Sequence, residues 1–282
     1  MALFITFDPK SSIYDNFAFP VKLPAFRTKS VGFLRYKQQF HLDDPRATLA
    51  HREIILRKPF LKKLYEDWYS TFLQVEKEIP GGKFLEIGSG GGFLKEVFPG
   101  VITSDILPLE CCDRVLSAEE MPFRDGELQG IFMLNVFHHI PHPWMFLKEA
   151  ERVLSKGGRV VMIEPANSAF GRFIYRNFHH EPFEPAGEWE FPSSGPLSGS
   201  NQALPYIYFE RDRVKLEKDF PSLKIRKIQY HTPFRYLISG GVSMRPLVPS
   251  WSFGFFKGME KMLTPLSRKL GMFVTVELEK TT

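Results

Sequence analysis

The stretch Lys83-Phe-Leu-Glu-Ile-Gly-Ser-Gly-Gly-Gly-Phe-Leu-Lys95 constrains this chain more than any other. Phe84, Leu85 and Ile87 form a short apolar run suited to a buried parallel strand. Gly88, Gly90 and Gly92 supply the turn after it, and Phe93-Leu-Lys-Glu-Val97 predicts a helix start. Glycines let backbone N–H groups approach a ligand closely, and a helix N-terminus presents unpaired donors. Strand, glycine turn and helix start together make a nucleotide-binding corner.

The dinucleotide fingerprint G-x-G-x-x-G needs a small third residue for close helix–strand packing. Counted from Gly88, that place holds Phe93, which weighs against NAD. An acid, Glu86, stands two residues before the first glycine. It suits a ligand with a positive amine and would repel a pyrophosphate. The pattern Glu86-x-Gly88-x-Gly90-x-Gly92 resembles motif I of the class I S-adenosylmethionine-dependent methyltransferases. Further segments resemble the same family over residues 83–166: Ala118-Glu-Glu-Met-Pro-Phe, Asn135-Val-Phe-His-His, and Leu154-Ser-Lys-Gly-Gly-Arg-Val before a strand.

The resemblance implies an α/β, Rossmann-like fold: seven strands, mostly parallel, the last inserted antiparallel, with helices on both faces. The expected division is an N-terminal arm with cap helices over residues 1–82 and a methyltransferase domain over 83–282. Within the latter lie an aromatic lid insertion at about 166–205 and an extended C-terminal cap at about 233–271. The expected cofactor is S-adenosylmethionine, leaving as S-adenosylhomocysteine. Its expected contacts are Glu86, Gly88, Ser89, Gly90, Asp105, Ile106, Ala118, Glu119, Asn135 and Val136. Asp105 also lies where a ribose-binding carboxylate belongs, shortly after the glycines and at a strand end. Serine 117 stands where the family usually has an acid, leaving adenine to Ser117, Glu119 or backbone.

Along the chain, Pro9, Pro20 and Pro24 break up residues 1–40, where Phe17, Phe19, Phe26, Phe33 and Phe40 predict an arm packed on the body. Asp43-Asp44-Pro45 reads as a helix start. Ile55, Leu56, Leu61, Leu64, Tyr65, Trp68 and Phe72 then repeat with helical spacing to about Val75, and Pro59 splits the run. By the resemblance this helix lies over the cofactor, with His51, Arg52 or Tyr65 in reach. Only Ile106 to Asp113 separate the second strand from the third, Arg114–Ser117, so the usual crossover helix is missing or reduced to a turn. Trp144, Phe146, Leu147, Ala150 and Leu154 predict a helix stopped by Gly157-Gly158. Residues 206–220 read as a charged helix, and residues 223–230 and 272–279 alternate as strands six and seven.

The net charge of +5 is uneven: +4 over residues 1–82, −4 over 83–168 and +5 over 169–282. Basic flanks suit an anionic substrate or a membrane surface, as well as ordinary solvated helix faces. The 28 Phe concentrate outside the glycine-loop core. The lid segment carries Phe170, Phe173, Tyr175, Phe178, Trp189 and Phe191, which points to an apolar or ring-bearing substrate. The segment 166–200 and the Trp251–Leu263 helix are expected to face each other across the methyl-donor end. Ser239-Gly240-Gly241 between Arg235 and Arg245 reads as a phosphate cradle. No apolar run approaches the roughly 20 residues of a membrane span, and the N-terminus lacks a signal-peptide pattern. Cys111 and Cys112 are adjacent and exclude a disulfide framework. The expected location is cytoplasmic, with the aromatic cap helix as a site of peripheral membrane contact.

Methyl transfer from a sulfonium mainly requires an in-line nucleophile and exclusion of water. A base is needed only for a hydroxyl or carbon acceptor, and His138, His139, Glu164, His179 and His180 are the candidates. No metal is expected, because the histidines show no obvious third ligand. The lead acceptor is a small molecule, glycan or lipid-linked group, with O- or C-methylation favoured. A nucleic-acid methyltransferase, or a cofactor-binding regulator without turnover, is the alternative.

Overall fold

The computed structural model describes residues 40–192 and 195–282. The aromatic arm expected before Phe40 lies outside them. Seven strands form one sheet: β1 (Lys83–Ile87), β2 (Val101–Asp105), β3 (Arg114–Val115), β4 (Leu128–Leu134), β5 (Leu154–Pro165), β6 (Leu223–His231) and β7 (Phe273–Lys280), in the order β3-β2-β1-β4-β5-β7-β6. The first five strands run parallel, and β7 enters antiparallel between β5 and β6. The order reverses between β1 and β4, so the loops leaving their carboxyl ends diverge and open a crevice there.

Pro59 lacks a backbone N–H, so the N-terminal helical run divides at Lys58 into α1 (Pro45–Arg57) and α2 (Pro59–Glu78). Asp44 caps α1 by accepting from the Arg46 N–H at 2.9 Å. One face of α2 is a row of aromatic rings. Phe72 stacks on Phe132 of β4 at 4.7 Å, Trp68 meets Phe273 of β7 at 4.8 Å, and Tyr69 meets Phe93 edge-on at 5.1 Å. These rings close one face of the sheet. On β4 the neighbouring Ile131 and Met133 point the other way and are also fully buried, so the strand is covered on both faces.

The helix after the glycine turn differs from expectation. α3 (Leu94–Val97) is one turn long, because Pro99-Gly100 follows at once and Val101 enters β2. A helix that short cannot supply the expected N-terminal donors. Between β2 and β3 no helix forms, as the spacing predicts; instead the Asp113 carboxylate accepts from the Thr103 N–H at 2.9 Å and from Lys95 at 2.7 Å, folding the link back on the sheet edge. Gly157 and Gly158 do not stop a helix. α4 (Pro143–Val153) has already ended, and the glycines form a bulge in β5, where pairing jumps from Leu154↔Leu128 to Arg159↔Gly130.

After β5 the chain makes α5 (Ala169–Phe178), an irregular run, then α6 (Leu204–Tyr206), a π-helical turn Ile207–Arg211 and α7 (Arg213–Asp219). The charged helix read over 206–220 is therefore half π-turn and half helix. Beyond β6 come α8 (Arg235–Ser239), α9 (Phe253–Met262) and α10 (Ser267–Leu270).

Two cap expectations are corrected. α9 seats on α2, not on the lid: Phe253 and Phe256 meet Phe60 at 5.1 and 6.4 Å, and Lys257 pairs with Asp67. The Gly240-Gly241 turn is no anion cradle, since its carbonyls face inward and the Gly241 and Met244 oxygens accept from the Lys58 ammonium. Arg235 is spent internally on Asp67 and Glu260. No helix among the described residues is long and apolar enough to cross a membrane.

Phe72 is fully buried in this aromatic layer. Phe72→Ala is expected to lower unfolding stability by about 3–5 kcal/mol, measured by urea denaturation. A loss under about 1 kcal/mol would mean that the layer repacks.

Candidate active site

A cleft of about 410 Å³ opens at the carboxyl ends of β1, β2 and β4. Its floor is the glycine loop, where missing side chains let three elements close in. A Cβ on Gly88 (φ +64°) would stand 2.5 Å from Val136, one on Gly91 would stand 2.9 Å from the Arg52 backbone on α1, and one on Gly92 would stand 2.5 Å from the Tyr69 hydroxyl. The Phe93 N–H donates to that hydroxyl at 3.0 Å, so the residue in the place of the fingerprint's third glycine is held by α2.

The predicted contact residues divide into those on the cleft wall and those behind it. Gly88, Gly90, Asp105, Ile106, Ala118, Glu119 and Val136 border the cleft. Glu86 lies beneath the floor, 2% exposed, and its carboxylate accepts from the Ser89 hydroxyl at 2.7 Å. Burial pushes its pKa up to about 7, against the opposing bond from Ser89. The Asp105 carboxylate accepts from the Gly90 N–H and the Leu107 N–H, both at 2.9 Å. Burial raises its pKa, and the two backbone donors pull the other way. Ser117 borders the cleft beside Glu119, whose carboxylate accepts from the His142 N–H at 3.0 Å. From α1 the structure brings Thr48 to the cleft. Arg52 instead donates to the Gly92 carbonyl and pairs with Glu96 at 2.7 Å, while Tyr65 is buried against Phe93.

Asn135 leaves β4 in the left-handed region, φ +56°, and both atoms of its buried amide lack a partner. A strained residue with unmet polar atoms marks a place built for something other than packing. Beyond it the single turn Phe137–His139 carries the two histidines. Only His139 borders the cleft; His138, Glu164, His179 and His180 lie behind it.

These groups converge on Glu181. His138 Nδ1 lies 2.6 Å from Glu164 Oε2, while Glu164 Oε1 accepts the Val136 and Phe137 N–H groups at 2.8 and 2.9 Å. His138 Nε2 and His139 Nε2 face Glu181 at 3.4 and 3.6 Å. His139 Nδ1 lies 3.0 Å from the Gly199 carbonyl, which can only accept, so that nitrogen carries the proton. Burial alone would lower the His138 pKa, but Glu164 and Glu181 raise it to about 9. Burial and the His138 cation push His139 down to about 3. Burial opposes ionisation of Glu181, but the imidazoles of His139, His179 and His138 around it hold its carboxyl low. Burial likewise drives His179 to about 3. Its Nδ1 accepts from the Glu181 N–H at 3.2 Å and lies 2.6 Å from the Gln202 amide nitrogen. The imidazole and carboxylate atoms of His138, His139 and Glu181 lie within 4.8 Å of one another, as do those of His179, His180 and Glu181. The absence of a third donor set the expectation of no metal; Glu181 is such a donor.

The lid closes the cleft from the far side. Gly195, Pro196 and Leu197 border it, and the Leu197 and Ser198 N–H groups donate to Asp43 at 2.7 and 3.0 Å. Thr48, Glu181 and this lid tip were not singled out from sequence. Glu181 carried one signal, its position directly after His179-His180.

Residues 85–162 match the family model described as a methyltransferase domain. An uncharacterized protein of Methanocaldococcus jannaschii is 26% identical over 114 residues, 35% of this chain. The match spans 56% of that relative, little more than half its length. Similar solved structures include a methyltransferase from Archaeoglobus fulgidus (15% identity, 77% of this chain, 94% of that one, TM-score 0.46). A geranyl diphosphate C-methyltransferase from Streptomyces coelicolor is 15% identical over 85% of this chain and 86% of that one, TM-score 0.42. Phosphoethanolamine N-methyltransferase 2 of Haemonchus contortus is 12% identical over 85% of this chain and 58% of that one, TM-score 0.42.

Glu86 sets a pH test of the floor. Its folded pKa of about 7 lies above the model-peptide value of 4.5. The folded state therefore prefers the protonated acid. The resulting stability is fully present below pH 4.5 and is lost as pH rises through about 7. Relative to Glu86→Gln, the wild-type chain is expected to lose on the order of 3 kcal/mol between pH 5 and pH 8. Parallel urea midpoints for the two proteins would show no such pH-dependent gap if Glu86 titrates normally.

Proposed function

We propose that this chain is a class I S-adenosylmethionine-dependent methyltransferase that transfers the cofactor's methyl group to a small-molecule, glycan or lipid-linked acceptor in this cleft. The observation that carries the reading is the placement of Asp105, Gly88 and Gly90 on one wall at the sheet's switch point, beside a buried acid and under a lid. The Asp105 oxygens accept the Gly90 and Leu107 N–H groups one each, and their remaining lone pairs suit the two ribose hydroxyls. Ala118 and Glu119, with Ser117, border the adenine end. Gly88 and Val136 flank the methionine end, and Glu86 below the loop supplies negative potential for the amine. A bound ammonium favours the ionised acid and offsets the cost of charging Glu86 in its buried site.

His139 then stands where the methyl leaves. Of the five groups considered as bases, only His139 borders the cleft. Its cluster with His138 and Glu181 is where the proton of a hydroxyl or carbon acceptor is handled. Glu164 acts one step back, orienting His138. His179 supports Glu181 by accepting its backbone N–H at 3.2 Å.

Calorimetry with S-adenosylmethionine and S-adenosylhomocysteine, followed by an assay of S-adenosylhomocysteine release over a panel of alcohols, phenols, lipid-linked glycans and RNA, tests the reading. Wild-type protein is expected to bind both ligands, and Asp105→Ala to weaken them by roughly 1.5–3 kcal/mol, the range for lost charge-assisted bonds. Failure of both to bind at millimolar concentration would remove the proposal. Binding without turnover over the panel would favour the regulatory alternative, and turnover confined to RNA would favour the nucleic-acid one.

The outer face of the cap supports a peripheral membrane contact for a lipid-linked acceptor. Trp251, Phe255 and Met262 are exposed, and Lys261 and Lys269 lie near them in sequence. Apolar side chains with basic neighbours suit an anionic bilayer surface. The chain is expected to co-sediment with anionic more than with neutral vesicles, and Trp251→Ser/Phe255→Ser to lose that difference. Equal partition of the wild type between the two would count against the contact.

A further inference from the structure

We propose that His138, His139 and Glu181 bind one divalent first-row transition-metal ion at the inner end of the cleft. Both imidazoles have Nδ1 occupied by an acceptor, Glu164 for one and the Gly199 carbonyl for the other. That fixes each Nε2 toward the same carboxylate. In a neutral ring Nε2 is a lone pair, so His139 Nε2 and Glu181 Oε1 face each other at 3.6 Å as two acceptors with no proton between them. His139 Nε2 and Glu181 Oε2 are both buried without a hydrogen-bond partner. A cation between these atoms would satisfy all of them.

The dimensions agree. Ion–ligand bonds of about 2.0–2.1 Å at tetrahedral angles put neighbouring donors about 3.3 Å apart. His138 Nε2 lies 3.4 Å from Glu181 Oε2 and His139 Nε2 3.6 Å from Oε1, and the three ligand atoms fall within 4.8 Å of one another. The surroundings have the form expected behind a metal: a carboxylate orienting one histidine and a backbone carbonyl orienting the other. Glu164 and Glu181 are both buried, and among the described residues their ion-pair partners are histidines. Two nitrogens and a carboxylate select zinc or iron(II) over calcium or magnesium.

Three protein ligands leave a coordination position open, and of the three residues His139 borders the cleft. Resting on the methyltransferase reading, that position would take the acceptor's oxygen. Coordination would acidify a hydroxyl, whose proton leaves to bulk water through the cleft mouth. The oxygen's electron pair then forms the bond to the methyl carbon, and the carbon–sulfur pair stays on sulfur as the neutral thioether. The ligand site itself does not depend on that reading.

The test uses the full chain with Cys111→Ser/Cys112→Ser, which removes competing thiols. Chelator-treated protein is titrated with zinc by calorimetry, cobalt(II) spectra are recorded, and S-adenosylmethionine binding is measured in parallel. The expected result is one zinc per chain, a raised Tm, and visible cobalt bands. Glu181→Gln and His139→Asn should each weaken zinc by well over about 100-fold, and Glu164→Gln by about 10–100-fold, the range for an outer-sphere partner. Preserved S-adenosylmethionine binding certifies the fold of each variant and keeps this result separate from the proposed activity. Should Glu181→Gln fail to fold, His139→Asn decides. No binding of micromolar zinc by the parent protein, or undiminished binding in both ligand variants, overturns the site.

Discussion

The cleft depends on a loop in which one residue, Ser89, carries a side chain. Between Gly88 and Gly92, a β-carbon at three places would strike Val136, the α1 backbone or the Tyr69 hydroxyl. These contacts come from three separate directions: the exit of β4, the first helix and the aromatic face of α2. The loop is thus held by close van der Waals contact and not by a long helix behind it, since α3 is a single turn. Asp105 then ties the loop to β2 through the Gly90 N–H. The backbone presented to a ligand is fixed both by these contacts and by hydrogen bonds, the Ser89 N–H donating to the Ser104 carbonyl at 2.8 Å and the Gly92 N–H to the Ser89 carbonyl at 2.7 Å.

Much of this was legible in the sequence, and the limits follow from physics. Buried parallel strands read as apolar runs, so β1, β2, β4 and β5 stood out, as did alternation in β6 and β7. The split at Pro59 and the missing helix before β3 followed from proline chemistry and chain length. What failed was punctuation: a glycine pair stops a helix or bulges a strand equally well, and only the pairing of Leu154 with Leu128 decides. The site was harder. Asp105 is fixed by its distance from the glycines along one strand–turn–strand unit. Glu181 reaches His138 across an irregular stretch with no period to read, and so did the lid tip that meets Asp43. The orientation of α9 was misjudged for a related reason, since its aromatic residues report burial or exposure but not which partner they meet.

The polar cluster behind the cleft shows how acceptors without donors shape a fold. Glu164 is the hub: one oxygen takes two backbone N–H groups at the start of the Phe137–His139 turn, and the other takes His138. That single carboxylate therefore sets both the path of the chain leaving β4 and the tilt of the imidazole. The lid answers it with Glu181, held by His179 and the Gln202 amide around it. Sheet and lid are joined at this point by charged and polar atoms in an apolar setting, where misplacement is costly. Such a joint admits one arrangement and rejects near misses.

The lid's grip on Asp43 couples two parts of the molecule. Asp43 sits immediately before the cap of α1, and its carboxylate takes two N–H groups from the tip that roofs the cleft. Raising the roof strips those donors from Asp43, and lowering it restores them. A molecule that favours the closed arrangement beneath residues 195–197 therefore also favours the Asp43 contacts at the start of the first helix, by mass action. Occupancy of the cleft is thereby coupled to the N-terminal end of α1.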